Sequence, residues 1–349
     1  MKNNTTTVGV DLAKDVIQVC VFSNNKVLSN TEMTPSEFTQ WLICQKPSVV
    51  VFEACGTSNY WKQKAASLGH DARLISAKLV NSIRQNQKTD KNDALAIVQA
   101  ATLPDVNFIA GKTIEQQQLQ SILRMRELTV KQKTSLNNQL SALLLEFNIR
   151  VSPRNGGLKG AVALALEDAE NGFTMIFRQA LEQMWLQYVN CIEVISKFND
   201  FLNELLDSIP RCKKLMKLEG VGAINAINLY MTFATTELGI FKDGKAAAAC
   251  IGLTPLQHSS GGKTKLGSIG KQVKNSMLRS QLVTGAFTYV NQVGRREAGS
   301  QKDKWLQALI QRRGKKCAAV ALANKTVRTA FSLLNNDTEY KASKVIMEA

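Results

Sequence analysis

A chain of 349 residues that is 44% apolar is long enough for two or three domains with buried cores, which excludes a disordered protein. Its 6% aromatic content argues against single-strand binding by stacking. The net charge of +16 is concentrated: residues 1–210 carry 21 Lys+Arg against 20 Asp+Glu, whereas residues 211–349 carry 23 against 8, and so basic a half calls for an acidic partner such as a nucleic-acid backbone.

No apolar run approaches the roughly 18–20 residues that span a bilayer, so no membrane partner is expected. Residues 1–7 lack the apolar stretch of a signal peptide, and a cytoplasmic protein is the expectation. The seven cysteines form no C-x-x-C pair and are expected to be reduced and mostly buried; with His70 and His258 the only histidines, a zinc site is not expected.

Residues 7–11 alternate as a strand and end on Asp11. Residues 16–22 form a second strand, the Asn-rich residues 23–26 a turn, and residues 27–31 a third strand. Pro35 and Ser36 open an amphipathic helix carrying Phe38, Trp41, Leu42 and Ile43. The consecutive apolar residues Val49, Val50, Val51 and Phe52 predict a strand buried on both faces, hence central and parallel, ending on Glu53. A turn at 56–59, a helix over 60–68, a strand at 72–75 and a helical stretch lead to Asp90 and Asp93. Three strands in meander followed by alternating helix and strand predict a mixed five-stranded sheet of ribonuclease-H-like order, in an α/β domain over residues 1–112.

Residues 113–210 read as a helical region. One long helix covers 114–147, with Leu136, Leu140, Leu143 and Phe147 stepping by four and three. After a break at 152–157 a second runs through Leu181, Trp185, Tyr188, Ile192 and Ile195, then Phe198, Leu202, Leu205 and Ile209. That spacing fits an antiparallel coiled-coil hairpin or a subunit contact, with a plain bundle core as the alternative.

Residues 211–349 form a basic, mostly helical C-terminal domain. The segment 218–224 resembles the turn of a helix-hairpin-helix, in which Gly220 and Gly222 let backbone N–H groups approach a phosphate; a tight helix connection is the plainer reading. Residues 246–253 predict a small-residue helix, and 257–268 a polar, glycine-rich, basic loop. Helical segments around 273–291 and 302–334 close the chain, with Arg312, Arg313, Gly314, Lys315 and Lys316 between two helical runs.

Phosphodiester chemistry on two metal ions needs carboxylates that bracket ions about 3.5–4 Å apart. Mg²⁺ takes oxygen ligands and retains water. Asp11 and Glu53, at the ends of neighbouring strands, fit as rigid ligands. Asp90 and Asp93, three apart, share a helix face and can meet one ion. Each has a plainer reading: a turn residue, a lysine partner or a helix cap. Their order along the predicted elements favours the metal site. Asp15 is placed in the turn before the second strand.

The segments Val8-Gly9-Val10-Asp11-Leu12-Ala13-Lys14, Phe52-Glu53-Ala54-Cys55-Gly56-Thr57 and Lys88-Thr89-Asp90-Lys91-Asn92-Asp93-Ala94 resemble the DEDD transposases of the insertion-sequence one-ten family, relatives of the Piv-type DNA invertases. Glu219-Gly220-Val221-Gly222, Gly252-Leu253-Thr254-Pro255 and Ser259-Ser260-Gly261-Gly262-Lys263 look like that family's C-terminal transposase domain. The resemblance covers nearly the whole chain, with the motifs in the family's order. It implies a RuvC-like nuclease domain, a coiled coil and a C-terminal domain with a nucleophilic serine. It further implies Mg²⁺, donor and target DNA, and a homo-oligomer that is a dimer and, in the synaptic complex, a tetramer. It also implies guidance by a structured non-coding bridge RNA, of which composition and spacing carry no trace.

The family's serine lies in a Ser-Gly context, which maps to Ser260, with Ser259 as the alternative. A serine hydroxyl needs its proton removed or polarised before it attacks. Lys263 and Lys265 can hold phosphate oxygens, and Lys271, Arg279, Arg312 and Arg313 extend the basic grip on nucleic acid. His258, adjacent to the doublet, is not assigned as a base; metal ions at the Asp11 site, reached across a subunit boundary, are the more plausible activators. Read without the serine, the same carboxylates serve a RuvC-like resolvase or nuclease that uses water. A site-specific invertase would use the same residues, and a non-enzymatic nucleic-acid-binding protein would use none of them.

Overall fold

The computed structural model describes residues 6–234, 241–270 and 276–341. It forms two compact units, one drawn from residues 1–113, 229–279 and 323–338, the other from residues 114–228, 280–322 and 339–349.

In the first unit, strands β1 (Thr7–Leu12), β2 (Ile17–Ser23) and β3 (Lys26–Met33) form an antiparallel meander. Asn24 and Asn25, at φ 53° and 58°, make the two-residue turn between β2 and β3, where their short polar side chains tolerate the left-handed region. There follow α1 (Pro35–Cys44), β4 (Val49–Glu53), α2 (Ser58–Ser67), β5 (Asp71–Ile75), α3 (Ala77–Ile83) and α4 (Asp90–Ala101). The sheet order is β3-β2-β1-β4-β5, with β4 parallel to both its neighbours. The mixed five-stranded sheet and its central parallel strand are as the apolar run predicts.

Alternation sorts the two faces of this sheet. Val8, Val10, Val50 and Phe52 pack with Phe38 and Leu42 of α1 and Trp61 and Ala65 of α2. On the opposite face, Val51 and Ile75 meet Val80 of α3 and Ala96, Ile97 and Ala100 of α4. α1 starts where the sequence places it because Thr34 and Glu37 complete a capping box in front of Pro35.

Beyond α4 the chain is mainly helical. α5 (Ile114–Glu146) and α7 (Met175–Asp207) are both 33 residues long. They run antiparallel: Leu140 and Leu144 near the end of α5 cluster with Leu181 near the start of α7, while Arg126 Nε donates to Asn199 Oδ1 at 2.7 Å towards the opposite ends. The predicted seam drifts. Leu140, Leu181 and Leu202 are buried as expected, but Leu144, Cys191 and Leu206 are buried beside them, while Ile192 is 45% exposed. A straight helix turns every 3.6 residues, so a strict four-three pattern walks off the buried face. α6 (Gly157–Glu167), which sequence reading passed over, fills the gap between the long helices with Leu158, Ala161, Val162 and Ala165.

The C-terminal part comprises α8 (Pro210–Lys213), α9 (Ala223–Phe233), α10 (Gly244–Cys250), the hairpin β6 (Pro255–Ser260) and β7 (Lys263–Ile269), α11 (Ser276–Val293) and α12 (Gln301–Asn335). The hairpin corrects the expectation of a loop over 257–268. Gly261 and Gly262, at φ 55° and 74°, form a two-residue turn that favours paired strands. Both strands are polar and exposed, so no apolar period marked them in the sequence. α12 breaks at Gly314, at φ 80° and ψ 167°.

None of the described helices is long and apolar enough to cross a membrane. The thiols also differ from expectation: Cys20, Cys191 and Cys212 are buried, but Cys44, Cys55, Cys250 and Cys317 are exposed.

Candidate active site

The last paired residues of the parallel β1–β4 ladder are Val10 and Phe52, so the next residues, Asp11 and Glu53, stand side by side at the strand ends. Both alternate onto the face covered by α4, the face of Gly9 and Val51. Gly9 decides how closely α4 can lie: a Cβ there would sit 2.5 Å from Ala94 O and 2.6 Å from Val98 Cγ2. The small residues of α4 and the missing side chain at Gly9 therefore bring the start of α4 down onto Asp11. Gly9→Ala is expected to lower stability by about 1–3 kcal/mol through overpacking, read as a lower thermal or urea midpoint.

α4 begins at Asp90, with Thr89 as its cap; Thr89 Oγ1 accepts from the Asn92 N–H at 3.3 Å. Asp90 is exposed and Asp93, on the same helix face, is 6% exposed. The acids repel one another through space. Burial raises the Asp11 carboxyl above its ordinary value, and repulsion from Asp93 and Asp90 raises it further. Burial likewise raises Glu53, joined by repulsion from Asp11 and Asp93, while Lys88 and Arg84 pull it down. The cluster is open: among the described residues no three His, Cys, Asp or Glu side chains are drawn together tightly enough to hold an ion as they stand.

Two features of this cluster escaped the sequence reading. Arg84 Nη1 lies 2.7 Å from Asp93 Oδ1, with the two side chains 19% and 9% exposed. The other feature is a brace. Gln18, the cross-strand partner of Asp11, is 2% exposed and donates to Asn30 Oδ1 at 2.8 Å. Asn30 Nδ2 in turn donates to the Lys91 carbonyl at 2.9 Å, which ties the first turn of α4 to β2 and β3. No spacing rule links residues 18, 30 and 91, so only the folded chain reveals the connection. Asp15 lies in the exposed turn before β2.

Ser260 is the last residue of β6, paired with Lys263 across the glycine turn. His258 pairs with Lys265, so Ser260, His258, Lys263 and Lys265 share one hairpin face. Ser259 is on the other face, where its Oγ accepts from Gln257 Nε2 at 3.2 Å and lies 3.5 Å from Thr264 Oγ1.

The remaining basic and glycine positions separate. Arg279 Nε donates to the Gly252 carbonyl at 3.1 Å, and its guanidinium lies against Gly270, so part of its role is to fasten the base of the hairpin. Arg312 and Arg313 are exposed at the Gly314 break. Lys271 lies outside the described residues. Gly220, at φ 75°, packs backbone to backbone on Gly285 of α11: a Cβ at Gly285 would sit 2.1 Å from Gly220 O. Gly222 faces open space.

Family models match both halves of the chain: a DEDD transposase model of the IS110 type over residues 8–149, and the Transposase IS116/IS110/IS902 family over residues 212–301. The transposase for insertion sequence element IS1111A of Coxiella burnetii is 33% identical over 334 residues, covering 95% of this chain and 90% of that protein. The chain belongs to the IS110 transposase family. A probable family 20 transposase of Pseudomonas aeruginosa is 31% identical over 97% of this chain and 99% of its own length. The transposase for insertion sequence element IS1328 of Yersinia enterocolitica is 28% identical over 97% of this chain and 99% of its own length. As a transposase the protein cuts and rejoins DNA, and DNA is its substrate. The first match contains Asp11, Glu53, Asp90 and Asp93; the second contains the glycine turn and the Ser260 hairpin.

Proposed function

We propose that this transposase moves its insertion sequence by attack of Ser260 on a DNA phosphate, with Asp11, Glu53, Asp90 and Asp93 holding Mg²⁺ in a RuvC-like, ribonuclease-H-like domain. What supports this reading is the placement of Asp11 and Glu53 at neighbouring strand ends, with Asp93 and Asp90 in the first turn of α4 close enough to raise the Asp11 carboxyl by repulsion. Their mutual repulsion calls for a cation, and an all-oxygen donor set suits a hard dication. When bound, such ions supply the charge that stabilises the phosphorane and eases proton loss from the attacking hydroxyl.

The protein's own groups divide the remaining work. Ser260 Oγ forms a bond to phosphorus as a phosphorus–oxygen bond of the strand breaks, and the departing sugar oxygen is protonated. The phosphoserine ester retains the bond energy, so a second strand's hydroxyl can displace the serine and reseal DNA without an external energy source. Lys263 and Lys265, on the Ser260 face, hold non-bridging oxygens as point charges. In this scheme residues 1–112 supply the metal site, residues 113–210 a coiled-coil contact between copies, and residues 211–349 the serine and the basic grip. The active oligomer is a dimer that pairs into a tetramer on DNA. Target choice is delegated to a bridge RNA that base-pairs with donor and target. A basic C-terminal half binds backbones of either nucleic acid, and backbone contacts carry no sequence information of their own.

Incubating the protein with element-end DNA, bridge RNA and Mg²⁺, then quenching in detergent, is expected to yield DNA covalently joined to protein. Free nicked ends without an adduct would instead support water as the nucleophile. Phosphate neutralisation makes binding salt-dependent, so replacing Arg312 and Arg313 with Gln is expected to flatten the slope of log K against log salt by about 0.9 for each phosphate that is no longer neutralised. Filter-binding titrations at several salt concentrations measure it, and an unchanged slope removes both residues from the DNA surface.

A further inference from the structure

Arg84 caps the C-terminal end of α3, where its N–H donates to the Val80 carbonyl at 3.0 Å. Its guanidinium holds an oxygen of Asp93, the most buried acid of the cluster, at 2.7 Å. The backbone beneath Asp93 is fixed on three sides: by the Thr89 cap, by the Gln18–Asn30 brace on Lys91, and by the contact of Gly9 with Ala94. The Arg84 side chain is the more exposed of the two, 19% against 9%. Arg84 follows a helix of seven residues and precedes the exposed residues 85–89. If the two groups separate, the arginine side chain is the one with room to move.

We propose that Arg84 is the transposase's internal counter-ion, occupying Asp93 until Mg²⁺ arrives and leaving it when the ion binds. The proposal rests on the reading of the four carboxylates as the metal site. The guanidinium sits on Asp93 Oδ1, and it repels a dication brought to about 2.0–2.1 Å from either oxygen of so small a group. A nearly buried ion pair is costly to break unless another charge replaces the one removed. Mg²⁺ is that replacement, so the pair opens only as the ion enters. The arrangement lowers the affinity of the site for metal while keeping the metal-free cluster folded.

A pair that merely clamps α3 to α4 predicts the opposite response. Removing a clamp loosens the site and weakens metal binding; removing a competitor strengthens it. Mg²⁺ binding by wild type, Arg84→Gln and Arg84→Lys, measured by calorimetry and by the Mg²⁺-dependent rise in melting temperature, all without DNA, separates the two. Arg84→Gln is expected to half-saturate at about tenfold lower Mg²⁺ than wild type. Arg84→Lys, which keeps the charge but loses the planar fork, is expected to fall between them. Equal or weaker Mg²⁺ binding by Arg84→Gln, with wild type binding normally, overturns the proposal. Should Arg84→Gln fail to fold, Arg84→Lys decides by the same criterion. If wild type itself shows no Mg²⁺ response, the reading of the carboxylates as a metal site fails first, and the role of Arg84 fails with it.

Discussion

Ser260→Ala is expected to abolish the covalent protein–DNA adduct while leaving DNA binding near the wild-type level. The side chain is exposed at the tip of a hairpin, so its loss creates no cavity and leaves the fold intact. Only the hydroxyl disappears, and with it the bond to phosphorus. Strand cutting should fall by about three orders of magnitude or more, as for other nucleophiles removed from a preorganised site. Ser259→Ala should retain adduct formation, because Ser259 lies on the opposite face of β6 with its oxygen engaged by Gln257. Denaturing gels of end-labelled DNA read both variants. Undiminished cutting by Ser260→Ala would leave a metal-dependent nuclease using water as the better description.

Asp11→Asn is expected to lower strand cutting by about three orders of magnitude as well, with a diagnostic gain elsewhere. Asn keeps the shape and removes a charge that burial, Asp93 and Asp90 all disfavour. In chelator the variant should therefore melt no lower than wild type, and its Mg²⁺-dependent stabilisation should be lost. The pH dependence has a definite sign. Asp11 and Glu53 both have carboxyl pKa values raised by folding, so their protonated forms favour the folded state. That contribution is present below the ordinary carboxylate range and is lost as pH rises through the raised values. Wild type in chelator should lose stability over this interval more steeply than Asp11→Asn, as thermal scans at a series of pH values would show. A variant that melts lower yet keeps cutting would remove Asp11 from the proposed metal site.

The two halves of the site were unequally legible. Asp11 and Glu53 could be read because each closes an apolar strand, and strand order plus parallel pairing sets them side by side. Asp90 and Asp93 could be read as helix neighbours, but not as neighbours of Asp11; that depends on Gly9 admitting α4 to backbone contact. Arg84 carried no signal, since an arginine after a short helix is ordinary until Asp93 is found 2.7 Å away. At the hairpin the residues were identified but their arrangement was not. The glycine pair read as looseness, and it is instead the turn that divides Ser259 from Ser260 between opposite faces. Gly220 illustrates the reverse, a glycine expected to admit a phosphate that lies packed against Gly285.

The amino-acid order alone determined the mixed sheet, the long helices, the acid-bearing strand ends and the basic C-terminal half. Each follows from short-range regularities: alternation, helical period, caps and charge. Tertiary structure alone decided which acids repel one another, which cation pairs with Asp93 and which serine shares a face with the lysines. Those outcomes depend on contacts between residues distant along the chain, such as Gln18 with Asn30 and Asn30 with Lys91, and such contacts exist only once packing has brought the segments together.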